Sequence, residues 1–116
     1  MPSLHYVAYF FGGIFCANSV PHLVSGMMGR AFQSPFAKPP GRGLSSSTAN
    51  VVWGAINLVL GYGLLMHVGS FDLHDPLQAG VAGAGGLFIS LYGARHFGQF
   101  HGGNSPAGRE APPRPE

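Results

Sequence analysis

Charge is what this chain has least of. Asp, Glu, Lys and Arg together make up 9% of its 116 residues, against about 25% in ordinary soluble domains. Residues 1–29, 43–71 and 76–94 contain none of the four. A hydrocarbon core of about 30 Å is crossed by about 20 predominantly apolar helical residues, and each run can supply one such helix. The scarcity of charge therefore excludes an ordinary soluble domain. The net charge of +2 is scattered over loops and tail, which excludes the basic face of a nucleic-acid binder.

Acidic residues are confined to Asp72, Asp75, Glu110 and Glu116. With no carboxylate inside a span, the proton relays and ion sites of the usual transporter type are excluded. Cysteine occurs once, as Cys16, so neither an internal disulfide nor a cysteine-rich metal site can form. A small buried hydrophobe is the expected state of that thiol. The start, Met-Pro-Ser-Leu-His, lacks the basic n-region of a secretory signal, so the first apolar segment is expected to remain in the mature protein. The serines at 45–47 have no triad partner, and Gly-Arg-Gly is too short to be a phosphate loop. Catalysis is not expected.

What remains is an all-α membrane protein of three transmembrane helices in up-down-up order, with spans at about 4–24, 50–68 and 76–97. Tyr6 and Tyr9 are expected as interfacial anchors, and Pro21 is expected to kink or end the first helix. Residues 45–48, Ser-Ser-Ser-Thr, are good N-caps for the second helix, and Asp75 followed by Pro76 suits the start of the third. Arg30, Lys38 and Arg42 in the first loop, with Arg95, Arg109 and Arg114 near the C-terminus, put those segments in the cytoplasm and the N-terminus outside. Phe32 and Phe36 alternate with the loop's basic residues, which suits a segment lying at the lipid interface through Arg30, Phe32, Phe36, Lys38 and Arg42, or docked on a partner. Residues 99–116, rich in Gly and Pro, read as a flexible tail.

Each span carries a stripe with steps of four, three and four: Phe11, Phe15, Asn18 and His22; Asn50, Gly54, Asn57 and Gly61; Ala79, Gly83, Gly86 and Ser90. Residues so spaced share one helical face. Small side chains let membrane helices approach closely, so Gly54, Asn57, Gly61, Ala79, Gly83, Gly86 and Ser90 are the expected packing residues. At about 1.5 Å per residue, Asn18, Asn57 and Ser90 fall at similar depth, as one hydrogen-bonded layer. The same counting gathers Asn18, His22, Trp53, Arg95 and His96 near the cytoplasmic face as the candidate polar or ligand site. His22 and His96 could ligate haem iron or a divalent metal, or bind a quinone, and Arg95 could hold an anion. Snorkelling to lipid headgroups is the plainer reading of those side chains. No cofactor is required. His5, His67 and His74 form a second cluster with Asp72 and Asp75, and the five-residue spacing of His96 and His101 is not that of a helical metal pair.

The segments VPHLVSG, SPFAKPPGRGLSS, NVVWGAIN and ARHFGQFHGG resemble small bacterial inner-membrane proteins with no assigned activity. That resemblance implies a bacterial cytoplasmic membrane and supplies no site residues. Packing devices outnumber chemical ones. The expected role is a non-enzymatic accessory or scaffolding subunit, in contact with membrane lipids and with a larger integral membrane complex or its own copies. The alternative is an oligomeric small-solute carrier or channel lined by Asn18, Asn57 and His22, and the third is the haem, metal or quinone site.

Overall fold

A computed structural model describes residues 2–103. Three helices, α1 (Pro2–Met27), α2 (Ser47–Met66) and α3 (Pro76–His101), carry the fold, with two-residue strands β1 (Phe32–Gln33) and β2 (Leu44–Ser45) in the first loop. All three helices are long and apolar enough to cross a membrane. At about 1.5 Å per residue α2 matches a hydrocarbon core, while α1 and α3 exceed it by several residues.

The helix ends follow from local chemistry. Ser46 caps α2 by accepting from the Ala49 amide at 3.1 Å, and Asp75 caps α3 by accepting from the Leu77 amide at 2.9 Å, with Pro76 directly after it. Pro21 does not end α1, which runs on to Met27. Termination comes at Gly29, whose φ of 74° closes a Schellman turn: Arg30 N donates to the Ser25 carbonyl and Gly29 N to the Gly26 carbonyl. The third helix extends four residues past the expected 97, so residues 99–101 of the expected tail are helical. The tail from 104 onward lies outside the described residues.

α1 is the centre of the bundle and packs on both other helices. Toward α2 its small residues meet small residues. A Cβ on Gly12 would strike Leu65 at 2.8 Å, one on Gly61 would strike Cys16, and one on Gly54 would reach the Leu23 amide at 2.9 Å. Asn50, Gly54, Asn57 and Gly61 are the buried residues of α2, as the stripe predicted. The α1 stripe is corrected: Phe11 is exposed and Phe15 half-buried, while Gly12, Ser19 and Gly26 are buried beside His22.

The α3 stripe is corrected too. Gly85 is the buried residue of α3; a Cβ there would run into the Phe10 carbonyl, and one on Gly13 into the Ala82 carbonyl. Gly86 keeps ordinary contact with Ala17, whereas Gly83 faces open space and Ser90 is exposed. The true contact face is rotated by about one residue, roughly 100°, from the one expected. Tyr9, expected as an interfacial anchor, is 2% exposed and packs edge-on against Phe71 at 4.9 Å between ring centroids.

Candidate functional site

The first loop folds back over the helix ends instead of lying out on lipid. β1 and β2 pair antiparallel, Phe32 opposite Ser45 and Gln33 opposite Leu44. Ser34 and Ser45 join their hydroxyls at 2.5 Å, and Gly41 N donates to the Ser34 carbonyl at 2.8 Å. Phe32 is thereby corrected as a lipid-interface residue: its ring sits against Phe97 at 4.7 Å, His22 at 5.6 Å and His101 at 5.4 Å. Phe36 packs edge-on against Trp53 at 4.9 Å while staying largely exposed. Arg42 lies over the Phe100 ring and donates to Gln99 Oε1 at 3.3 Å. Arg30 and Lys38 are exposed.

Asn50 ties this loop to the helices. Its side chain is wholly buried, and its Nδ2 lies 3.0–3.2 Å from the carbonyls of Phe32, Ser45 and Ser46. Carbonyl oxygens only accept, so the amide nitrogen must face them and Oδ1 must face His22 Nδ1, 2.8 Å away. It follows that His22 donates from Nδ1, and the neutral ring carries its lone pair on Nε2. That nitrogen makes no hydrogen bond among the described residues, although His22 is only 2% exposed. The same reasoning fixes His96, which donates from Nε2 to the Gly41 carbonyl at 2.6 Å.

Asn57 is oriented likewise. Its Nδ2 donates to the Trp53 carbonyl at 2.8 Å, leaving Oδ1 to accept from Asn18 Nδ2 at 3.0 Å. The expected layer thus exists between Asn18 and Asn57. Ser90 does not complete it but stands across a cavity from Asn18.

Two cavities share Asn18 and Phe97 in their walls. One, of 420 Å³, lies between α1 and α3 and is walled by Ala17, Val20, Pro21, Ile89 and Gly93. The other, of 370 Å³, lies beneath the loop and is lined by His22, Trp53, Tyr92 and His96. Trp53 Nε1 is shielded from solvent and has no hydrogen-bond partner among the described residues. Of the expected site, Asn18, His22, Trp53 and His96 come together. Arg95 does not: it lies on an outward surface of α3 with Phe88 and Leu91.

The two histidines do not face each other freely. Phe97 stands in edge-to-face contact with both, 6.2 Å from His22 and 5.0 Å from His96, and His96 Nε2 is engaged by Gly41. No group of three or more His, Cys, Asp or Glu able to hold a metal occurs among the described residues. In the second cluster His74 pairs with Asp72 at 3.1 Å, while His67 pairs with Tyr62. Phe97 and the Gly41 carbonyl escaped sequence reasoning. The dense run of aromatic and histidine residues from His96 to His101 was the only signal for Phe97, and a carbonyl leaves none. No family model, no curated protein and no solved structure matches this chain.

Proposed function

We propose that this chain is a non-enzymatic accessory subunit of a larger integral membrane assembly, engaged through the outer face of α3. One observation carries the reading. Gly80 and Gly83 have open space where a Cβ would lie, and with exposed Ala84 and Leu87 they form a shallow face at positions i, i+3, i+4 and i+7. The outward face of α2 is bulkier, with Val52, Ile56, Leu58, Val59 and Leu60 beside Ala55 and Gly63, and suits lipid tails. Small residues on a membrane helix favour close approach of another helix, and none covers this face of α3 among the described residues. The basic first loop supports a cytoplasmic side for that loop, with the N-terminus outside. A carrier or channel finds less support, because Asn57 is wholly buried and bonded to Asn18.

Mild-detergent purification from the native membrane, read by native mass spectrometry, tests the proposal. The expected result is a heteromeric species that is lost on Gly83→Leu, where the added side chain would hold a partner helix away. Retention of that species in Gly83→Leu and Gly80→Leu, or a preparation containing only this chain, would overturn it.

A further inference from the structure

We infer that the neighbouring cavities between α1, α3 and the first loop form a binding site for a neutral, ring-bearing amphiphile of the quinol class. The inference does not depend on any partner subunit.

Charge decides the first part. Neither cavity is lined by an Asp, Glu, Lys or Arg. A phosphate or carboxylate head would find no cation there, and a metal or ammonium no carboxylate, so an uncharged ligand is selected. Arg42 is turned to Gln99 and Phe100, and Arg95 lies on the outward surface.

Hydrogen-bonding capacity decides the second. The Asn50 lock leaves the His22 Nε2 lone pair as an acceptor in a buried ring, and the Asn57 lock leaves Asn18 Oδ1 as another. Pro21 has no N–H to give the Ala17 carbonyl, one helical turn back, and both residues line the apolar chamber. Trp53 Nε1 is shielded from the cavities, so its indole contributes ring surface to the wall. A ligand that donates satisfies this set of acceptors, which is the capacity of a phenolic hydroxyl.

Shape decides the third. His22 is surrounded edge-on by the rings of Phe32, Trp53 and Phe97, walls that suit a flat ring. The second chamber is apolar and reaches exposed Val20 and Ala94 on the outer surface of the bundle, which gives an aliphatic tail an exit into lipid. The two volumes lie within the usual range for small-molecule sites, about 300–1,000 Å³.

Trp53 is the chain's sole tryptophan, so its fluorescence reports from the wall of the site. Decylubiquinol titrated anaerobically into the full chain in phosphatidylcholine nanodiscs should quench it saturably. A Cβ at Gly93 meets only the Phe97 ring, at 3.6 Å, so Gly93→Leu fills the chamber without disturbing a helix seam. That variant should raise the half-saturation concentration at least tenfold, with the emission maximum of the free protein unchanged. Decylubiquinone has no hydroxyl to donate; calorimetry should give it an affinity weaker by roughly three- to tenfold, the worth of one hydrogen bond. Linear quenching identical in wild type and Gly93→Leu, or equal calorimetric affinity for quinol and quinone, would overturn the assignment. So would a stoichiometric phospholipid in the native mass spectrum that decylubiquinol fails to displace.

Discussion

The two seams of α1 are built differently. Against α2, glycines bring the backbones together and two side-chain hydrogen bonds, Asn18 to Asn57 and His22 to Asn50, set the register. Against α3, glycines at 13 and 85 bring backbones equally close, yet no side-chain hydrogen bond joins the two helices among the described residues. Polar ties to α3 lie toward its ends: Asp72 N to Gln78, Gly41 to His96, Arg42 to Gln99 and Gln33 to His101. Close packing alone sets distance, whereas buried polar pairs also set position along the axis. The first seam is therefore a fixed frame. The second is held at its ends and opens, in the half nearer the first loop, into a cavity.

The sharpest way to break that comparison is at Asn50. Replacing it with Leu would leave the His22 Nδ1–H without an acceptor and free the loop carbonyls that converge on Nδ2. Individual side-chain bonds in membrane proteins average only about 0.6 kcal/mol, but leaving buried groups unsatisfied costs about 1–3 kcal/mol each. Asn50→Leu should thus destabilise the protein by about 3 kcal/mol or more, measured by reversible unfolding in mixed micelles. It should also release the loop, seen as faster proteolysis between Phe32 and Ser45. A loss below about 1 kcal/mol would mean that Asn50 is not the lock.

The second seam is tested next, at Gly85. Its Cβ would run into the Phe10 carbonyl, and backbone cannot move aside as a flexible side chain can. Overpacking of this kind costs about 1–3 kcal/mol, so Gly85→Ala should lower stability by about 2 kcal/mol and separate α3 from α1. Proximity labelling across the seam reads the separation, and unchanged labelling with unchanged stability would refute the contact.

Much of this was legible in the sequence because its physics is one-dimensional. Charge-free runs mark spans, Ser46 and Asp75 mark helix starts, and one polar and glycine stripe on α2 marks its buried face. The α3 face was not legible. Ala79, Gly83, Gly86 and Ser90 make as good a small stripe as Ala82, Gly85, Gly86 and Ile89, and small residues carry no polarity to say which side meets protein. On α1 one stripe cannot describe a helix that serves two neighbours, so Gly12 and Gly13 fall outside it. His22 and Asn18 were found because a polar residue in a span demands a partner. Their partners' orientation was not, since it depends on which carbonyls converge on Asn50 and Asn57. Phe32 read as an interfacial ring because nothing local says that residues 32–33 pair with 44–45.

The smallest effect carries the opposite sign and separates packing from propensity. Gly80 lies on the same helix as Gly85, and a Cβ there meets nothing within 4 Å. A methyl group at 80 displaces no neighbour in the isolated chain, while Ala replaces the most flexible residue of a helix with its best former. Host–guest values put that exchange at about 1 kcal/mol at most, and packing in a micelle should reduce it, so Gly80→Ala should raise stability by about 0.5 kcal/mol in the same unfolding assay. A small gain at 80 beside a loss at 85 would fix which side of α3 meets α1 with two methyl groups. A loss at 80 in the isolated chain would mean that the helix is rotated from the described arrangement. A gain in isolation, accompanied by weaker association in the native membrane, would instead locate the partner on this face.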